Sequence, residues 1–155
     1  MSLLLTVAVL VGTVVTVYTV FPKRDRQLLT RAANEHRIEP HEYDIESPTP
    51  DQLELWSRAA LGKEVPWPPA APGVTIVGAQ AIEVMDRRSG FVRYLVDGDR
   101  VTIVVQRNRD TPPRSYQRLD GDELVTSWRQ GKWVFVAVGP AATADRWTSR
   151  IGAPR

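Results

Sequence analysis

The sequence predicts an α+β protein with a single N-terminal transmembrane helix, a helical juxtamembrane segment, and a small antiparallel β-meander of about five strands with a C-terminal helix. Residues 3–21 carry no charge, apolar residues recur with a helical period up to residue 61, and the period becomes two-fold after residue 74. We therefore expect a transmembrane helix at 1–22, a juxtamembrane helical segment at 23–64, a proline-rich connector at 65–73, and a sheet domain with its closing helix at 74–155.

The uncharged run is long enough to cross a bilayer. A helix over residues 3–21 measures about 28 Å, against a hydrocarbon core of about 30 Å. A cleaved signal peptide and a buried globular helix are the alternatives, but bulky residues before Pro22 do not form a small-residue cleavage site. Because Lys23, Arg24, Arg26 and Arg31 follow the run, the positive-inside rule predicts a single-pass protein of the bacterial inner membrane with a cytoplasmic soluble part.

Small residues recur on one face of this predicted helix. Ala8, Gly12 and Thr16 are spaced by four residues, which places them together on a helical surface. Such small residues allow close helix approach in lipid, so they form a predicted helix-docking face. The alternative is that small residues occur in membrane helices by composition alone. The predicted partner is a larger membrane protein or, through a homodimer, a second copy of the chain.

Two helices are expected between this run and the connector. Residues 24–37 place leucine and alanine on one side of a helix. A second helix begins near Pro50, because Thr49 can cap it, proline suits its first position, and Gln52 completes a capping box. This helix is expected to run to about Leu61, where Gly62 can end it in a left-handed conformation.

The segment 65–72 contains too many prolines for a helix or a central strand. We interpret it as a stiff, extended connector that marks a boundary and buries Trp67. A proline-rich ligand for an adaptor domain is the alternative interpretation.

Beyond the connector, β-branched residues and two-fold alternation predict strands joined by tight turns. Asp97, Gly98 and Asp99 are typical of a hairpin turn, and the segment 140–150 predicts a closing helix anchored by Trp147. The expected strand segments are 75–77, 81–85, 91–96, 101–106, 124–128 and 132–138, with turns at 87–90 and 130–131 and a long polar loop at 108–121.

The strand sequences GFVRYLVDGDRVTIVV (90–105) and VTSWRQGKWVFVAVG (125–139) carry a family resemblance. They resemble the C-terminal, membrane-distal domain of single-pass bacterial anti-sigma factors over residues 74–142, chiefly through the S-W-x-x-G hairpin. The resemblance implies a distal domain outside the cytoplasm, in conflict with the charge rule. Those regulators carry a sigma-binding segment ahead of their membrane helix, where this sequence has only Met1 and Ser2. We therefore do not expect it to sequester a sigma factor in the known way.

The composition argues against several kinds of chemistry. The chain has no cysteine and two histidines, His36 and His41, whose spacing does not match a zinc pair on a helix. Ser127 lies outside any nucleophile-elbow motif, and the basic residues of the distal half alternate with acids. We therefore expect no catalytic, cofactor-binding or metal-binding residues and no nucleic-acid partner.

Five tryptophans are the remaining distinctive feature. Trp128 and Trp133 flank the last hairpin and are expected on one face of it, where aromatic pairs stabilise sheets. If that face were exposed, Trp128, Arg129 and Trp133 would be the candidate interface, because tryptophan and arginine are frequent in binding hot spots.

The sequence therefore predicts a non-enzymatic accessory subunit that docks to a larger bacterial membrane complex, photosynthetic or respiratory, and to the lipid bilayer. The alternative is an anti-sigma-like regulator or sensor without the sigma-binding segment.

Overall fold

The structure is a computed structural model that describes residues 6–7, 24–40, 42–69, 71–107 and 115–153. Helices in the first half precede an extensive β-sheet, and a short helix follows it. The elements are α1 (Arg24–Arg37), β1 (Ile45–Glu46), α2 (Pro50–Leu61), β2 (Val74–Val84), β3 (Arg87–Val96), β4 (Asp99–Arg107), β5 (Tyr116–Asp120), β6 (Glu123–Gln130), β7 (Trp133–Pro140), a 3-10 helix (Ala141–Thr143) and α3 (Ala144–Arg150).

The described strands form one antiparallel sheet in the order β1-β2-β3-β4-β7-β6-β5. Strands β2 to β4 follow one another as hairpins, and β5 to β7 do the same on the other side. The two halves join where β4 pairs with β7, so β5 lies at one edge. A register shift between Ile76 and Gly78 interrupts β2.

Helices cover both faces of the central strands, which explains why β3, β4 and β7 are almost continuously buried. Helix α1 packs on one face through Leu28, Leu29, Ala32 and Ala33. Helices α2 and α3 and the connector cover the opposite face. The side chains facing α1 are Phe91, Val104, Val125, Val134, Val136 and Val138. Those on the α2 side include Tyr94, Val96, Val101, Ile103, Val105, Trp128, Phe135 and Ala137.

The local signals around α2 are confirmed. Thr49 accepts a hydrogen bond from the Gln52 amide, and the Gln52 side chain accepts one from the Thr49 amide. Pro50 occupies the first helical position, and Gly62 ends the helix with φ of 73°. A capping box and a left-handed C-terminal glycine therefore define this helix as its sequence predicts.

The closing helix also forms, and Trp147 anchors it. Trp147 is fully buried, and its indole N–H donates to the carbonyl oxygen of Pro140 at 2.9 Å. Gly139 allows the ring to lie close to β7, because a Cβ at that position would be 2.9 Å from Trp147 Cε2. The helix is shorter than predicted, since residues 141–143 form a 3-10 turn ahead of it.

The predicted five-stranded meander is wrong. The described residues form seven strands, and β7 pairs with β4 instead of continuing a simple meander. Strand β5 arises within the predicted polar loop, where Tyr116 and Leu119 are exposed and give little alternation. An edge strand buries little side-chain surface, so the hydrophobic pattern does not reveal it.

The hairpin between β2 and β3 turns earlier than predicted. Arg87 to Gly90 belong to β3, and the turn is at Met85 and Asp86, both with positive φ. The two pieces predicted at 75–77 and 81–85 are one long strand, β2, with an irregularity in its middle. A bulge shifts the alternation by one residue, which makes one strand look like two in the sequence.

The prediction of a single-pass inner-membrane protein is also corrected. Among the described residues, none of the helices combines the length and the apolar composition needed to span a bilayer. The segment 3–21, which motivated the prediction, lies outside the described residues except for Thr6 and Val7. Helix α1, predicted as a juxtamembrane segment, instead buries its leucines and alanines against the sheet.

Candidate functional site

A groove lies on the α2 side of the sheet, between described residues. It has a volume of about 480 Å³ and lies between residues 47–54, around the start of α2, and residues 64–69, which comprise Glu64 and the first part of the connector. Residues 74–76 of β2 and Tyr94 of β3 also line it. We call it the proline-tryptophan groove. Its volume falls in the range of known small-ligand sites, about 300 to 1,000 Å³.

The walls of this groove are stiff because prolines occur on both sides. Trp67 is held by packing, since its ring is 6.5 Å from Trp56 and meets Phe135 edge-on at 6.4 Å. A groove built from residues of low conformational freedom loses little entropy when it binds. The prolines that line it are Pro48, Pro50, Pro66, Pro68 and Pro69.

Two polar atoms of groove-lining residues are buried and have no hydrogen-bond partner within the described part of the chain. They are the indole Nε1 of Trp67 and the hydroxyl of Tyr94. A buried polar group without a partner costs about 1 to 3 kcal/mol, so native proteins seldom retain one without a reason. Nine buried side-chain atoms of the described residues lack a hydrogen-bond partner, and these two are the ones whose residues line the groove.

Burial keeps the Tyr94 hydroxyl neutral. Tyr94 is 2% exposed, and desolvation raises the pKa of its phenol well above the ordinary value. The hydroxyl therefore remains available as a hydrogen-bond donor at any physiological pH, and Trp67 Nε1–H is a donor only. The arrangement suits a ligand that presents hydrogen-bond acceptors beside apolar surface.

A second polar cluster lies under the C-terminal end of α1, and the two terminal nitrogens of Arg93 have partners in it, whereas Arg93 Nε has none among the described residues. Arg93 is 2% exposed and donates to Glu39 Oε1 at 2.9 Å and to the carbonyl oxygen of Ile38 at 2.9 Å. It also donates to the carbonyls of Glu35 and His36, at 3.4 and 3.3 Å. The guanidinium thus satisfies the carbonyls that a helix end leaves free. We interpret this cluster as structural, because it ties the C-terminal end of α1 to β3.

His36 belongs to the same polar cluster. Its Nδ1 lies 2.8 Å from the hydroxyl of Thr102, which is the cross-strand neighbour of Arg93. Burial, reinforced by the charges of Arg100, Arg93 and Arg37, lowers the pKa of His36 from 6.5 to about 4. The imidazole is therefore neutral at physiological pH although Glu123 lies 3.8 Å from its Nε2.

The structure buries two of the three candidate interface residues and leaves Arg129 partly exposed. Trp128 and Trp133 are each 7% exposed, and Trp128 stacks on its cross-strand partner Phe135 at 5.2 Å. Trp133 donates its indole N–H to the carbonyl of Glu64 at 3.1 Å, and Arg129 donates Nε–H to the carbonyl of Gly131. Trp128 therefore stabilises the last hairpin, and Trp133 ties the sheet to the segment just before the connector.

The predicted helix-docking residues Ala8, Gly12 and Thr16 lie outside the described residues. Sequence reasoning missed the groove because its parts are distant in the chain. It identified the connector and expected Trp67 to be buried, but it did not place Tyr94 beside it. The one available signal was a tyrosine at a core position of a strand, where a hydroxyl needs a partner.

Among the described residues, no group of three or more histidine, aspartate or glutamate side chains is placed to hold a metal ion. Comparison of the chain with protein-family models, curated proteins and solved structures gives no match. The resemblance to anti-sigma factors therefore stays a prediction from the hairpin motif.

Proposed function

We propose that this chain is a non-enzymatic accessory subunit that binds a segment of a partner polypeptide in the proline-tryptophan groove. The observation that carries the proposal is the pair of unpartnered polar atoms, Trp67 Nε1 and Tyr94 Oη, in residues that line a stiff apolar groove. A peptide backbone supplies carbonyl acceptors at regular intervals, and its side chains supply apolar surface. A peptide therefore offers acceptors for the two unpartnered donors and apolar surface that can pack against the groove.

The composition of the groove supports binding over catalysis. The described residues that line it include hydroxyls from Ser47, Thr75 and Tyr94, but no histidine or lysine that could activate a nucleophile. Its carboxylates lie on exposed or half-exposed residues, two in α2 and one just before the connector. These features favour recognition of a partner as the role of the groove.

The test is a selection of peptides on the purified full chain. A displayed library of random heptapeptides is panned on the wild-type protein, and the recovered peptides are measured by isothermal titration calorimetry. We expect peptides whose Kd rises about five-fold with Trp67→Phe or with Tyr94→Phe, because each change removes about 1 kcal/mol of hydrogen bonding. Each variant keeps an aromatic ring in place.

Matched controls separate the groove from general effects. Trp147→Phe also removes an indole N–H, but this N–H already donates to the carbonyl oxygen of Pro140 at 2.9 Å, and Trp147 does not line the groove. Tyr116→Phe removes a hydroxyl from a half-exposed residue of the edge strand. Both should leave the Kd unchanged. If the recovered peptides bind all four variants equally well, or if none is recovered, the proposal is wrong.

Stability provides an independent readout. Removing a buried hydroxyl that has no partner should not weaken the fold, so Tyr94→Phe is expected to raise the free energy of unfolding by about 1 kcal/mol. A residue with a purely structural hydrogen bond would show the opposite sign. Increased stability together with weaker peptide binding is the signature of a group reserved for a ligand.

A further inference from the structure

We infer that the peptide segment received by the proline-tryptophan groove carries a lysine or arginine side chain between apolar residues. This inference rests on the proposed function and specifies the chemistry of the partner. It follows from the sign of the charges around the groove, from the rings that line it, and from the buried Tyr94 hydroxyl.

Every charged residue among the described ones that line the groove is acidic. Asp51 and Glu54 lie in the first two turns of α2, and Glu64 lies just before the connector. A groove lined by one sign of charge attracts the opposite charge and disfavours ligands of its own sign. An acidic peptide is therefore the least favourable occupant.

The acidic charge is only partly neutralised by the protein. Arg58 contacts Glu54 at 2.5 Å and Glu64 at 3.3 Å, so one guanidinium serves two carboxylates. Asp51 has no ion pair with any described residue. The positive end of the helix dipole stabilises the charge of an aspartate in this first turn, but the dipole does not take the place of a cationic partner. Asp51 is therefore the carboxylate left for a ligand.

The apolar part of the groove fits the rest of such a side chain. Lysine and arginine bury their methylene stems on apolar surface and keep the charged end near polar groups. Trp67 and Tyr94 supply aromatic rings, whose faces attract cations. The Tyr94 hydroxyl, buried and unpartnered, supplies an oxygen that can accept a hydrogen bond from an ammonium or guanidinium group.

The experiment uses the heptapeptides selected on the full chain. We expect a lysine or arginine at one fixed position in them. Replacing this residue by norleucine, which keeps the stem and removes the charge, should raise the Kd about five-fold, as should Asp51→Asn with the cationic peptide. Asp51→Asn should change the Kd of the norleucine peptide by less than about two-fold. Raising the salt concentration should weaken binding of the cationic peptide alone.

Asp145→Asn is the matched control. Asp145 is an exposed acid in the first turn of α3, so its replacement changes the net charge equally but lies away from the groove. It should leave both Kd values unchanged. If groove-dependent peptides are recovered without a basic residue, or if norleucine binds as well as lysine, this inference is wrong and the proposed function stands. If no groove-dependent peptide is recovered, both are wrong.

Discussion

His36 links the stability of the fold to pH, and acidification from pH 7 to pH 4 is the perturbation that reveals it. The pKa of His36 is about 4 in the folded chain, against 6.5 for an unperturbed histidine. The unfolded chain therefore binds the extra proton first as the pH falls. The contribution of His36 to stability is fully present above pH 6.5 and is lost as the pH falls toward 4.

The size of the effect follows from the pKa difference. A lowering from 6.5 to about 4 corresponds to about 3 kcal/mol at 1.36 kcal/mol per unit. Burial is its main cause, but the side chains of Arg100 and Arg37 are 42% and 45% exposed, so solvent screens their share. We therefore expect a loss of about 2 kcal/mol.

Urea denaturation followed by tryptophan fluorescence measures this loss at pH 7 and pH 4. The carboxylates of the chain also titrate in this range, so the variant His36→Asn provides the reference. Asparagine can keep a polar atom near the Thr102 hydroxyl but does not titrate. Wild type should lose about 2 kcal/mol more than the variant between the two pH values. Equal losses would refute the assignment of a neutral, buried His36.

Three further substitutions test the packing. Arg93→Met should lower the free energy of unfolding by about 3 kcal/mol in urea titrations, because carbonyls at the end of α1 lose their donor. A loss below about 1 kcal/mol would contradict the structural role of the Arg93 cluster. Gly139→Ala places a Cβ 2.9 Å from Trp147 and should cost about 1 to 3 kcal/mol, seen as a lower Tm in circular dichroism. An unchanged Tm would show that the ring can move aside. Thr49→Ala removes the cap of α2 and should cost about 1 kcal/mol by urea denaturation; no change would mean that the cap contributes little.

Features set by neighbouring residues could be predicted from the sequence. The cap of α2 needs only Thr49, Pro50 and Gln52, and the β3–β4 hairpin needs only the turn at Asp97 and Gly98, which adopt positive φ. Such signals act over a few residues and are independent of the rest of the fold. They therefore identify individual elements without giving the order of the strands.

Features set by distant residues could not be predicted. Arg93 occupies a buried position that the alternation alone assigns to an apolar residue, and its partner Glu39 is 54 positions earlier in the chain. The strand β5 contributes little buried surface, so its pattern resembles a loop. The apolar segment 3–21 predicts a membrane span, whereas the hydrophobic core of the described residues is built from residues between Leu28 and Ala153.

The candidate site illustrates the same limit. Trp67 was expected to be buried, but its proximity to Tyr94 depends on how the connector folds back over β2 and β3. Trp128 and Trp133, the candidate interface in the case that their face were exposed, are each 7% exposed. A hydrogen-bond donor without a partner is a property of the folded chain and leaves no mark in the sequence.

The indole N–H signals in a proton-nitrogen NMR spectrum test the central claim most directly. The chain has five tryptophans, so five such signals are expected, and Trp67→Phe identifies the one from the groove. Saturation with a selected heptapeptide should move the Trp67 signal downfield as its N–H gains an acceptor, whereas the signal of Trp147, already bonded to Pro140, should stay in place. A Trp67 signal that does not move in the saturated complex would contradict the account.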